Sequence, residues 1–126
     1  MDVTLGPWTA AHAENKDLAD AMGDEAWKTV EKSKDATPKK ADPKTAAKGY
    51  TVSGRLTSAD KKGKTTHIFM TFNILVDGFL SNVPPIAGTG FADAPNTPED
   101  AVRAITESRI NAIIQKLKTG LIVRQG

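Results

Sequence analysis

Between Gly49 and Gly120 a two-residue alternation runs through two neighbouring segments and then gives way to one long, well-punctuated helix. Alternation of this kind buries one face of a strand, so the stretch commits the chain to a sheet covered by helix. In Tyr50-Thr51-Val52-Ser53-Gly54-Arg55-Leu56-Thr57 the inward set is Val52, Gly54 and Leu56. After a polar turn over 59–64, Ile68, Met70, Phe72, Ile74 and Val76 share one face of a second strand. His67, Thr71 and Asn73 occupy its opposite face with Phe69 and Leu75. Two such runs joined by a short loop predict an antiparallel hairpin, and the partly apolar second face places the longer strand centrally. Phe79 and Leu80 extend the apolar run beyond Gly78, Pro84-Pro85 bends it, and a third strand is expected from Ile86 to Ala92 with Gly88 and Gly90 inside it.

The closing helix has the clearest start. Thr97 is a natural N-cap, Pro98 suits the first helical position, and Glu99 and Asp100 put negative charge in the first turn. Val102, Ile105, Ile110, Ile113, Ile114 and Leu117 give it a broad apolar face, and Gly120 suits a left-handed residue past its end. An earlier helix is expected from about Asn15, on the recurrence of Leu18, Met22, Ala26 and Val30. Gly23 in its middle costs about 1 kcal/mol relative to alanine. Before it, Val3 to Leu5 reads as a short strand ended by Gly6 and Pro7, and Leu121 to Val123 as a final short edge strand.

Charge is concentrated between these elements. From Lys32 to Lys48 six lysines face Asp35 and Asp42, a net +4 in a chain whose total is +2, so the remainder carries −2. The folded part is therefore not a basic body shaped for nucleic acid. Residues 33–48 hold no large apolar side chain and contain Pro38 and Pro43, which predicts a flexible loop inside one domain. Cysteine is absent, which excludes disulfides, thiolate zinc sites and cysteine nucleophiles. No apolar run approaches the length that spans a bilayer, and the first residues have neither basic nor apolar leader character.

No group of residues carries an obvious chemistry. His12 and His67 lack the neighbours of a metal site, and Gly88-Thr89-Gly90 fails as a dinucleotide loop because Asp93 stands where its third glycine belongs. Asp93, Glu99 and Asp100 do not match calcium-loop spacing, and helix capping accounts for the latter two. The serines lack a nucleophile-elbow context. The expectation is no enzyme, no cofactor and no metal. Two surfaces are left over. Phe79, Leu80, Val83, Pro84, Pro85 and Ile86 form a run that is either a partner-binding patch or a core crossing with a proline bend. Lys34, Lys39, Lys40, Lys44 and Lys48 offer an anion-binding alternative, for nucleic acid or an anionic surface, against the reading of a solvated loop.

Together these elements predict a single α+β domain over residues 1–126, in the order β-α-β-β-β-α, with a mixed or antiparallel sheet of three to five strands and two helices packed on one face. Gly49-Tyr50-Thr51-Val52-Ser53-Gly54-Arg55-Leu56 after a first helix, the long strand from Ile68 to Val76 and the helix from Pro98 together resemble the small α/β domain of bacterial envelope lipoproteins and periplasmic proteins. Examples are the curli secretion-channel subunit, the lipoprotein activators of penicillin-binding proteins and the N-terminal domain of the Tol translocation protein. The lysine-rich insertion and Pro84-Pro85 depart from that pattern. The resemblance implies a non-enzymatic protein-interaction module in the periplasm or at the outer membrane, with a protein partner or further copies of itself, and a signal or lipid anchor removed.

Overall fold

The computed structural model describes residues 1–126. Strands β1 (Asp2–Ala10), β2 (Thr37–Lys40), β3 (Tyr50–Lys62), β4 (Thr65–Val76), β5 (Phe79–Leu80) and β6 (Ile86–Asp93) form one mixed sheet, and helices α1 (Lys16–Lys32) and α2 (Pro98–Leu117) cover one of its faces. The order is β2-β1-β3-β4, with the far side of β4 shared by β6 along Thr65–Phe72 and by β5 at Leu75–Val76. β1 is parallel to both its neighbours, and the remaining pairs are antiparallel. The α+β class and the helices on one face are as the alternation predicts, with six strands rather than five at most.

One apolar core lies between the layers. β4 contributes Ile68, Met70, Phe72 and Ile74, β3 contributes Val52 and Leu56, α1 contributes Met22, Ala26 and Val30, and α2 contributes Val102, Ile110, Ile113, Ile114 and Leu117, all buried. Thr97 caps α2 as its sequence indicates. Its Oγ1 accepts from the Asp100 N–H at 3.2 Å while the Asp100 carboxylate accepts from the Thr97 N–H, a reciprocal capping box. Asn15 occupies the N-cap position of α1 but its side chain makes no capping bond, because a 3-10 turn over Ala13–Asn15 leads into the helix instead.

Several boundaries differ from the sequence expectation, each for a local reason. β1 does not stop at Gly6-Pro7. A register shift between Leu5 and Trp8 accommodates the residue that lacks an N–H, and Gly6 takes a φ of 112° there. β3 does not end at Thr57 either. A second bulge between Leu56 and Ser58 lets it continue to Lys62, and the connection shrinks to the turn at Gly63-Lys64. The lysine-rich segment is not without structure: Ala36 is buried, the Thr37 N–H donates to the Met1 carbonyl at 2.8 Å, and residues 37–40 pair with β1. Leu121 to Val123 forms no strand. The chain end makes one bridge, Ser81 with Arg124, and is otherwise tied down by Asn82, whose side chain donates to the Leu121 carbonyl and accepts from the Val123 N–H.

Two pairs of glycines fix how closely the layers approach. The Trp8 indole lies between α1 and β3, where a Cβ on Gly54 would come within 2.7 Å of its Cζ3 and one on Gly23 would collide with Cδ1. Further across the same face Ile105 of α2 rests on Gly88 and Gly90, which have room for no Cβ beneath it. Gly23, unfavourable for a helix in isolation, is thus the space the indole occupies, and Gly88 and Gly90 are positions of close approach to Ile105.

Candidate interaction surfaces

The run from Phe79 to Ile86 divides between core and surface. Val83 and Ile86 pack against the core, whereas Phe79 is 53% exposed, Leu80 62% exposed, and Pro84 and Pro85 lie at the surface. The Arg124 guanidinium stands 3.8 Å over the Phe79 ring, a cation–π contact that joins the chain end to β5. Leu80, Asn82, Val83, Pro84 and Pro85 line a groove of about 290 Å³ beside the end of β4. Exposed Leu121 and Val123 lie on the tail that pairs with this segment.

A second apolar surface lies on the face of the sheet away from the helices. Phe69 is 38% exposed and Phe91 65% exposed. They line a concavity of about 340 Å³ with Ser58, His67 and Thr89. The His67 imidazole meets the Phe91 ring edge to face at 5.4 Å. The alternation of β4 puts Phe69 on this face, but Phe91 emerges only when Gly88, Gly90 and Ala92 are recognised as the inward set of β6. A strand whose inward residues are two glycines and an alanine has no apolar period to detect.

The lysines are not gathered into one site. Lys39 and Lys40 are successive residues of β2 and so point to opposite faces. Lys40 and Lys48 border a recess of about 360 Å³ under the 41–48 loop, lined also by Thr4, Thr45 and Thr51. Lys34 and Lys44 are exposed elsewhere. Asp42 caps the local turn, accepting from the Lys44 N–H at 2.8 Å, and this backbone bond, with help from the Thr45 side chain, holds its carboxyl below the usual range. The acidic group near α2 is likewise dispersed among partners. Asp93 accepts from the Thr65 hydroxyl at 2.6 Å, Glu99 approaches Arg103 at 3.5 Å, and Asp100 is in the cap.

The strongest electrostatic feature binds the helices to each other. Arg103 Nη1 of α2 donates to Asp24 Oδ2 of α1 at 2.7 Å, with Glu25 and Glu99 at 3.5 Å and Lys28 against Asp24 at 3.0 Å. The Arg103 hydrogen bond, then that of Lys28, lowers the Asp24 carboxyl below its ordinary range. A carboxyl depressed by folding contributes stability that is present above its unfolded value and lost as pH falls through the folded one. Asp24 is half exposed, so screening limits the gain to below about 1 kcal/mol. Asp24→Asn should therefore lower stability slightly at neutral pH and flatten the acid limb. Urea midpoints at neutral pH and below the carboxylate range check this; an unchanged acid limb would refute it.

The sequence matches no family model and no curated protein. Its fold superimposes on PelC from Paraburkholderia phytofirmans, described as a dodecamer, with a TM-score of 0.65 over 90% of this chain and 86% of that one at 12% identity. The two folds are similar. The fold is also similar to that of protein XCC0632 from Xanthomonas campestris, with a TM-score of 0.53 over 92% and 79% of the two chains at 14% identity. Lipoprotein GNA1162 from Neisseria meningitidis shares it with a TM-score of 0.54 over 90% and 98% at 8% identity. The resemblance to small bacterial envelope domains read from the strand and helix pattern thus extends to the three-dimensional fold. At 12% identity the match is one of fold alone, and the surfaces described above belong to this sequence. No helix is long and apolar enough to cross a membrane.

Proposed function

We propose that the chain is a non-enzymatic structural subunit of a bacterial cell-envelope assembly and works by binding protein, copies of itself included. The observation that carries this is the open sheet face, where Phe69 and Phe91 stand exposed on adjacent strands. Exposed aromatic rings on a rigid sheet suit burial against another protein better than capture of a small polar substrate. PelC supports self-association, since a protein of this fold forms a dodecamer, and GNA1162 supports an envelope setting, since it is a lipoprotein. The purified chain should show a mass above that of one copy by light scattering as concentration rises. The double variant Phe69→Ser, Phe91→Ser should return it to a monomer with an unaltered far-ultraviolet spectrum. Turnover of a substrate by the pure chain, lost on changing one polar side chain, would overturn the reading.

A further inference from the structure

The two edges of the sheet are unlike. β2 is four residues long and carries Pro38, Lys39 and Lys40, features that discourage another strand from pairing there. β6 pairs with β4 alone, so its outer edge is open over eight residues, and from Ile86 to Ala92 it has neither charge nor proline. Phe91 stands beside that edge on the open face. On the helix face Ala104, Ile105, Ser108 and Arg109 of α2 line a shallow recess that runs out to the edge at Thr89.

We propose that the edge of β6 is the docking site for the same edge of a second copy, the two strands pairing antiparallel about a two-fold axis through Thr89 so that two sheets become one. This rests on the reading of the chain as a protein-binding subunit and names both partner and seam. Residues directly opposite in such a pair share a face. An axis through Thr89 sets Thr89 against itself and Ala87 against the partner's Phe91 on the open face, and Gly88 against the partner's Gly90 and Ile86 against the partner's Ala92 on the helix face. Every large side chain meets a small one. That self-complementarity selects a second copy over an unrelated strand. Ile105 rests on Gly88 and Gly90 and therefore lies close to the axis, where it meets its own counterpart. Arg109, one turn further along α2, takes no part in the six ion pairs of the chain. Across the axis it approaches the acidic first turn of the partner's α2, which supplies the missing counter-charge.

The test uses Thr89, which is exposed and can be changed without disturbing the core. By sedimentation, Thr89→Lys and Thr89→Glu should each weaken association by roughly tenfold or more, since like charges then face each other across the seam. An equimolar mixture of the two variants should restore it, because only an isologous seam opposes position 89 to itself. Thr89→Cys, in a chain free of other cysteines, should oxidise to a covalent dimer, because strand neighbours about 4.5–5.5 Å apart at Cα lie within disulfide reach. A chain monomeric at all concentrations overturns the proposal. So does an oligomer whose mass ignores both charge variants, or one weakened by them and not restored by mixing, as a β6-on-β2 ring would be. An oligomer indifferent to position 89 yet dissolved by the Phe69 and Phe91 changes would remove the edge while leaving the protein-binding reading intact.

Discussion

Phe72→Ala is expected to destabilise the chain by about 3–5 kcal/mol, the largest loss among single side chains of the core. Phe72 is fully buried at the middle of β4, directly between Gly54 of β3 and Ile86 of β6. The spread in such losses reflects how far a site can collapse into the space vacated. Collapse is poor here. Gly54 on one side and Gly88, whose Cβ would sit 3.3 Å from the Phe72 ring, on the other have no side chains to move into the void. The figure should therefore fall in the upper part of the range, read as a shift in denaturant midpoint at constant slope. A loss below about 2 kcal/mol would show that the helices settle onto the sheet more freely than the glycine contacts allow.

Gly54→Val should cost about 3 kcal/mol, and its sign is as informative as its size. At an ordinary strand position the β-branched residue would stabilise by about 1 kcal/mol over glycine. Here the added carbons must displace the Trp8 ring, which is wedged between Gly54 and Gly23. The Trp8→Ala background separates the two contributions. With the indole gone, the same valine should be neutral or stabilising, giving a coupling of about 2–3 kcal/mol between positions 8 and 54. Additive effects would mean that the wedge is not what excludes a side chain at position 54.

The elements with their own apolar period, β4 from Ile68 to Val76 and α2 with its Thr97 cap, are legible in the sequence, and β6, which has no such period, is placed by the Pro84-Pro85 bend before Ile86. What escaped was set by pairing rather than by propensity. Thr37 to Lys40 has no strand composition, yet it lies beside β1 because α1 returns the chain to that edge and the buried Ala36 anchors it. Gly6-Pro7 reads as a strand terminator, and the structure absorbs it in a bulge. Of the six apolar residues from Phe79 to Ile86, the alternatives of patch and core crossing both apply, four exposed and two packed inward. The second surface was only half visible. Phe69 follows from alternation, but Phe91 needed the knowledge that glycines can be the inward residues of a strand when an isoleucine from a helix fills their place.

The lysine-rich loop has one property that follows from its ends rather than its contents. Before it, β2 is fastened to β1, and after it the Gly49 N–H donates to the Asp77 carboxylate at 2.7 Å while the Asp77 N–H donates to the Gly49 carbonyl at 2.8 Å. The loop is thus closed by anchors that do not depend on its own residues, and the entropy of closing a loop rises only slowly with its length. Residues 41–48 are where this chain can gain or lose length at least cost, so the segment is free to diverge while the sheet around it stays constant.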